Sequence, residues 1–143
     1  MKTLVLDTSV LVKLFLAEAD RETVIHLFET AAMGEVRLIA PNLILYEALA
    51  VAQAYDLVEQ VAELLFAQVG FTLHLLEPTA AQWQQALKII NKGHRKSGFP
   101  SIYDAMFHAI ALEMGAIFLT ADQKHYAKTQ TLGNIALLQE FSL

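Results

Sequence analysis

The feature that most constrains the fold is a series of short apolar segments separated by longer segments with helical periodicity. The apolar segments span residues 3–6, 36–40, 72–76, 116–120 and 135–138. Short runs without polar alternation are typical of strands that are buried on both faces of a sheet. Because helix-like segments separate the strands, the sequence predicts an α/β domain with a short, mostly parallel central sheet of four to five strands.

The segments between the strands predict helices and a single domain. Helical periodicity covers residues 10–16, 21–33, 43–55, 57–69, 79–92 and 101–114, and a short helix is expected after Asp122. Gly34, Gly70 and Gly115 stand where three of these helices should end, a position that favours glycine. The sequence contains no internal repeat, low-complexity tract or linker, so residues 1–143 are predicted to form one domain.

The high apolar content predicts an interface with another chain. Hydrophobic residues make up 55% of the sequence, and the mean hydropathy is +0.42. No apolar run approaches the ~18 residues that a membrane span needs, and no secretory signal is recognised at the N-terminus. Cysteine is absent, which fits a cytoplasmic protein. The helix pair from Leu43 to Val69 is the candidate surface for a second copy or a partner protein.

The charge excludes one class of nucleic-acid-binding protein. A net charge of −5 and a pI of about 5.4 are incompatible with binding through an overall basic surface. A nuclease remains compatible, because an acidic site adds negative charge while a local basic patch can hold phosphates. The concentrated basic stretch runs from Lys88 to Lys96. Arg95 and Lys96 are candidate contacts to RNA phosphates, although a solvated loop has the same composition.

Two aspartates follow predicted strands. Asp7 comes directly after the first strand, and Asp122 follows the strand that ends at Thr120. Each of them alone could be a helix N-cap. Ligand sites in open parallel sheets lie at the carboxyl ends of strands, and both aspartates are expected at that edge.

Two further carboxylates lie in helical segments. Glu47 has apolar neighbours three and four residues away, so it is expected on the buried stripe, either paired with a Lys or Arg or serving a function. Asp104 could complete a capping box that Ser101 begins. It also shares its helix face with Phe107 and His108, which directs its carboxylate toward the domain.

If these four carboxylates converge, they require a cation. Two unit charges about 4 Å apart repel by about 4 kcal/mol at an effective dielectric constant of ~20. Oxygen ligands select hard ions, so Mg²⁺ or Mn²⁺ is the expected cofactor. Zinc is disfavoured, because cysteine is absent and no two histidines are spaced i, i+4. His108 is the histidine with a candidate role here.

These positions resemble the motifs of PIN-domain ribonucleases. The similar segments are, in order, Leu4-Val5-Leu6-Asp7-Thr8-Ser9, the helix with Glu47, Ser101-Ile102-Tyr103-Asp104-Ala105 and Thr120-Ala121-Asp122. These segments occur in the same order as the motifs of the family, and they extend from residue 4 to residue 122. The length of the chain and its lack of further domains resemble the VapC-type toxins of bacterial and archaeal type II toxin–antitoxin systems.

The resemblance implies a three-layer α/β/α sandwich and Mg²⁺- or Mn²⁺-dependent endoribonuclease activity. The implied catalytic residues and metal ligands are Asp7, Glu47, Asp104 and Asp122. Asp104 is the candidate to orient the attacking water. The hydroxyl groups expected to support the carboxylates are those of Thr8, Ser9, Ser101 and Thr120. The resemblance further implies an RNA substrate, a cognate antitoxin and a homodimer.

Two other functions stay open. A PIN-like fold could be a catalytically silent module that binds protein or RNA. An aspartate after the first strand could also be a phospho-acceptor, as in haloacid-dehalogenase-like phosphatases or receiver domains. The phosphatases need a second aspartate where Ser9 stands, and the acidic pair and late buried lysine of receivers are not found. Nucleotide binding is disfavoured, because no Gly-rich loop follows a strand.

Overall fold

The computed structural model describes residues 1–92 and 98–143, and these contain one five-stranded sheet. Its strands are β1 (Lys2–Leu6), β2 (Val36–Pro41), β3 (Leu73–Leu76), β4 (Ile117–Thr120) and β5 (Ile135–Leu137). The described helices are α1 (Thr8–Leu11), α2 (Arg21–Ala32), α3 (Leu43–Ala54), α4 (Val58–Gln68), α5 (Ala80–Ile90), α6 (Ile102–Met114) and α7 (Gln123–Thr129). Short 3₁₀ turns occupy Val12–Leu14, Gln130–Leu132 and Leu138–Glu140.

The strand order is β3-β2-β1-β4-β5, and every pairing between these strands is parallel. The predicted three-layer α/β architecture is confirmed. From β1 the chain fills one half of the sheet with β2 and β3, and it then returns to place β4 and β5 on the other side. Such a reversal is a topological switch point, which opens a crevice at the carboxyl ends of the two central strands.

The core fixes α6 against the centre of the sheet. Phe107 of α6 stacks on Phe118 of β4 with ring centroids 5.9 Å apart, and both side chains are fully buried. Burying an apolar side chain of this size contributes about 1.5–3 kcal/mol relative to leaving it exposed. Because α6 contacts both β1 and β4, its first turn is positioned near the switch point.

The helix boundaries predicted from the sequence agree closely with the structure, with one clear difference. Thr79 caps α5 in a capping box with Gln82, and Gly115 ends α6 with a φ of 66°. The helix predicted at residues 10–16 instead begins at Thr8 and passes into a 3₁₀ turn at Val12.

Two predictions concern surfaces. No helix in the described part of the chain is both long and apolar enough to cross a membrane. Arg95 and Lys96, the predicted RNA contacts, lie outside the described residues.

Candidate active site

Asp7 lies at the switch point, at the carboxyl end of β1, with 5% of its surface exposed. Its backbone N–H donates to the carbonyl of Leu119 at 3.0 Å, which ties it to β4. Its Oδ2 accepts hydrogen bonds from Ser9 Oγ and Thr120 Oγ1, each at 2.7 Å. Although Asp7 stands at the N-cap position of α1, its side chain makes no capping bond. The carboxylate is instead held by two hydroxyl groups, one from α1 and one from the end of β4.

Glu47 reaches the same region from α3. Its Oε1 accepts a hydrogen bond from Thr8 Oγ1 at 2.9 Å. No Lys or Arg among the described residues pairs with it, so the alternative of a structural ion pair is not observed there. Burial raises the pKa of Glu47, the hydrogen bond from Thr8 opposes that rise, and the charge of Asp7 adds to it. Glu47 is therefore a carboxylate with a hydroxyl partner and no counter-charge in the described structure.

Asp104 lies in the first turn of α6 with 29% of its side chain exposed. Ser101 Oγ accepts a hydrogen bond from the backbone N–H of Asp104 at 3.1 Å, so this serine caps the helix. Burial, together with the charges of Asp122 and Glu47, raises the pKa of Asp104 to about 6, and the hydrogen bond with Ser101 and the charge of Lys128 act in the opposite direction. The capping interpretation holds in part, because Ser101 caps the helix while no return bond from the Asp104 carboxylate to the Ser101 backbone is described; the carboxylate instead lies near other acids.

Asp122 follows β4 and caps α7. Its Oδ1 accepts hydrogen bonds from the backbone N–H groups of Lys124 and His125, at 2.9 and 3.2 Å. Thr120 Oγ1 accepts from the backbone N–H of Asp122 at 3.0 Å. The capping interpretation is correct for this aspartate, and its charge also raises the pKa of Asp104.

The four carboxylates repel one another across the crevice. Burial raises the pKa of Asp7 to about 6, and the charge of Asp104 contributes to that rise. Asp104 is in turn affected by Glu47 and Asp122, so each of the four acids interacts with at least one other. An all-oxygen set of repelling carboxylates suits a hard divalent cation by both charge and donor type.

The arrangement is not yet closed around an ion. Within residues 1–92 and 98–143, no three Asp, Glu or His side chains form a group that could hold a metal. The side chains would have to draw together on binding. Asp104, whose side chain is 29% exposed, has room to move toward the others. The assignment of the four acids as metal ligands stays a prediction.

Two residues near Asp104 were missed by the sequence analysis. His125 Nδ1 lies 3.9 Å from Asp104 Oδ2, and neither ring nitrogen of His125 has a hydrogen-bond partner in the described structure. Lys128 lies near enough to lower the pKa of Asp104. The available signal was helical spacing, since His125 is three residues after Asp122. His108, the predicted candidate, contacts the ring of His125 and bonds through Nε2 to the carbonyl of Gly133 at 2.8 Å.

Comparison with known families identifies one that matches most of the chain. The sequence profile of the PIN domain matches residues 4–130. The chain belongs to the PIN domain family. A comparison with curated protein sequences gives no match.

Solved structures share the fold of this PIN domain at low sequence identity. VapBC2 from Rickettsia felis, bound to a DNA fragment from its promoter, matches with a TM-score of 0.71 and 16% identity, covering 94% of this chain and 96% of that chain. VapC20 from Mycobacterium tuberculosis, described as a Sarcin-Ricin loop cleaving toxin, has a TM-score of 0.66 and 16% identity over 87% and 93% of the two chains. VapBC-1 from nontypeable Haemophilus influenzae has the same TM-score and identity, 0.66 and 16%, over 96% and 99%.

Proposed function

We propose that this PIN domain is a metal-dependent endoribonuclease that hydrolyses RNA phosphodiester bonds and acts as the toxin of a toxin–antitoxin pair. The observation that carries the proposal is the approach of four carboxylates, from the ends of β1 and β4 and from α3 and α6, in which the charge of each affects at least one other. Membership of the PIN family supports a nuclease. The similar structures support the finer assignment, because one is described as a cleaving toxin and two are VapBC proteins.

In this proposal Asp7, Glu47, Asp104 and Asp122 hold Mg²⁺ or Mn²⁺. When bound, such an ion would lower the pKa of a water molecule and neutralise charge that develops on the phosphoryl oxygens. The hydroxyls of Ser9 and Thr120 keep the Asp7 carboxylate in one orientation, and Thr8 does the same for Glu47. The Asp104 carboxylate, in the first turn of α6 and partly exposed, is the group proposed to orient the attacking water.

The proposed partners are an RNA substrate, an antitoxin and a second copy of the chain, acting in the cytoplasm. The helix pair α3–α4 was predicted as the surface for a second copy or a partner, but fewer of its apolar side chains are exposed than its composition indicated. Val61 and Leu65 are buried inside the domain, whereas Val58 and Phe66 are exposed. The exposed part of α4 is therefore the portion available to a partner.

The test is cleavage of a mixed RNA pool by the purified full chain with Mg²⁺, with Mn²⁺ and with EDTA. We expect cleavage with either ion and none in EDTA. Asp104→Asn should reduce the rate by at least about a hundredfold, because even outer partners of metal ligands are worth roughly 10–100-fold. Asp56→Asn is the matched control, since Asp56 is exposed and its φ of 57° suits asparagine. An Asp104→Asn variant that cuts at the wild-type rate would overturn the proposal.

A catalytically silent binding module is the second candidate. It is favoured by the absence of a closed three-ligand group in the described residues. This function requires that the full chain cut no RNA under any of the three conditions and that Mg²⁺ leave its melting temperature unchanged. The phosphatase alternative loses support, because Ser9 donates to Asp7 from the position where the second aspartate would be needed.

A further inference from the structure

A pocket of about 320 Å³ lies beside the acidic site at the same edge of the sheet. Its floor is formed near the carboxyl ends of β2 and β3, and its walls come from the first turns of α3, α5 and α6. Three aromatic side chains line it: Tyr46, Trp83 and Tyr103. Asn42 and Glu77 add a polar edge, at which the Asn42 amide donates to the Glu77 carboxylate. We call this cavity the aromatic pocket.

The aromatic pocket and the acidic site share two helices. Tyr46 directly precedes Glu47 in α3, and Tyr103 directly precedes Asp104 in α6. Since the pocket lies over β2 and β3 while the carboxylates lie over β1 and β4, the two sites are neighbours along one crevice edge. A polymer whose phosphate lies at the carboxylates would therefore bring an adjacent unit to the pocket.

The walls of the pocket suit a flat, uncharged ring with a polar edge. Tyr46, Trp83 and Tyr103 are 77%, 48% and 54% exposed, so their ring faces are available to a ligand. Unpaired nucleobases stack on such rings and use their edges for hydrogen bonds, which Asn42 and Glu77 can exchange. A base carries no charge, so it can enter beside the carboxylates without the repulsion that a phosphate would meet.

We propose that the aromatic pocket binds an unpaired nucleobase of the RNA substrate, adjacent to the scissile phosphate. This inference rests on the proposed ribonuclease function and names the part of the substrate that this pocket would hold. Bases in a continuous duplex are stacked and paired, so they cannot enter the pocket.

The pocket contains its own reporter, because Trp83 is the single tryptophan of the chain. We would titrate the full-length protein in EDTA, where cleavage is not expected, and follow Trp83 fluorescence. The two probes are a short oligoadenylate and an oligomer of equal length whose residues are all abasic. Stacking of one base is worth about 1–3 kcal/mol, so the oligoadenylate should quench Trp83 and bind roughly tenfold to a hundredfold more tightly.

Single substitutions test whether the side chains of the aromatic pocket cause this preference for the oligoadenylate. Tyr103→Ala should remove most of the tenfold to hundredfold preference, whereas Tyr103→Phe, which keeps the ring, should retain it. Tyr55→Ala is the matched control, because Tyr55 is 59% exposed and does not line the pocket. Equal affinity for the two oligomers, or no quenching by either, overturns the proposal. A Tyr103→Ala chain that still binds oligoadenylate with the wild-type preference also overturns it.

The two proposals fail separately. Base-dependent quenching without cleavage in Mg²⁺ or Mn²⁺ would reject the ribonuclease and leave a base-binding pocket. Cleavage without base-dependent quenching would reject the aromatic pocket as a substrate site and leave the ribonuclease unaffected.

Discussion

The two sides of the acidic crevice are built differently. On the β1 side, the Asp7 carboxylate is almost fully buried and accepts two hydroxyl hydrogen bonds of 2.7 Å. On the α6 side, the Asp104 carboxylate is partly exposed, and its nearest basic neighbour is the ring of His125 at 3.9 Å, beyond hydrogen-bonding distance.

This difference indicates which part of the site the fold organises in advance. The hydroxyls of Ser9 and Thr120 fix Asp7 before any ligand arrives, while both ring nitrogens of His125, beside Asp104, are buried without hydrogen-bond partners in the described structure. Buried polar atoms without partners are costly, so this side gains most from rearrangement on ligand binding. We infer a fixed side at Asp7 and an adjustable side at Asp104.

The largest expected effect concerns stability as a function of pH in the absence of metal. Burial raises the pKa of Asp7 from 3.8 to about 6, so the native state holds a proton that the unfolded chain has lost. The stability from this group is fully present below pH 3.8 and is lost as the pH rises through 6. The change corresponds to about 3 kcal/mol. Asp104 acts in the same direction, with a smaller effect because it is partly exposed.

The histidines on the other side act in the opposite direction. Burial, together with the charges of His108 and Lys128, lowers the pKa of His125 from 6.5 to about 4, although Asp122 opposes this. Burial also lowers the pKa of His108. The stability from His125 is therefore fully present above pH 6.5 and is lost as the pH falls through 4, by about 3 kcal/mol. The effects of the carboxylates and of the histidines should therefore nearly cancel in the wild-type protein.

Single substitutions should reveal how each group makes the unfolding free energy depend on pH. In EDTA, we expect urea denaturation of the wild type to show little change in unfolding free energy between pH 4 and 6.5. His125→Leu should become less stable by about 3 kcal/mol as the pH rises over that interval, and Asp7→Asn should become more stable by a similar amount. Exposed His26 and Asp56 supply controls in His26→Leu and Asp56→Asn. Parallel curves for all variants would contradict the proposed opposition.

The sequence predicted the fixed side of the site better than the adjustable side. Asp7 could be placed because the strand before it is apolar, and Glu47 because its helical neighbours are apolar. The fold followed from the same local patterns. The hydrogen bond between Thr120 and Asp7 joins residues 113 positions apart, and it follows only from the pairing of β1 with β4.

The adjustable side depends on tertiary packing that no local pattern shows. His125 approaches Asp104 because α7 packs beside the first turn of α6, so helical spacing from Asp104 selected His108 instead. The aromatic pocket likewise combines residues from three helices and two strand ends. Which helices and strand ends meet in space is fixed by the order of the strands in the sheet, and the sequence pattern alone does not specify that order.

Thr120→Val should have the next largest effect, because it removes a buried hydroxyl from the fixed side. Asp7 would lose a donor, and the backbone N–H of Asp122 would lose its acceptor. We expect a cost of about 1–3 kcal/mol in unfolding free energy and a loss of about 10–100-fold in Mg²⁺ affinity. Urea denaturation and Mg²⁺-dependent melting shifts measure the two quantities. Thr30→Val, in which the lost hydroxyl bonds only within α2, should leave Mg²⁺ affinity unchanged; a loss there as large as for Thr120→Val would contradict a specific role.

Thr8→Val should have the smallest effect, because Glu47 is less buried than Asp7 and water can replace the lost hydroxyl. We expect the unfolding free energy to fall by about 1 kcal/mol at most, near the lower end for a hydrogen bond. The Mg²⁺ affinity should decrease by less than about tenfold. Thr8→Ser keeps the donor and should match the wild type in both measurements. If Thr8→Val weakened Mg²⁺ binding more than Thr120→Val, Glu47 rather than Asp7 would be the carboxylate that the fold organises most tightly, and the fixed side of the site would have to be placed on α3.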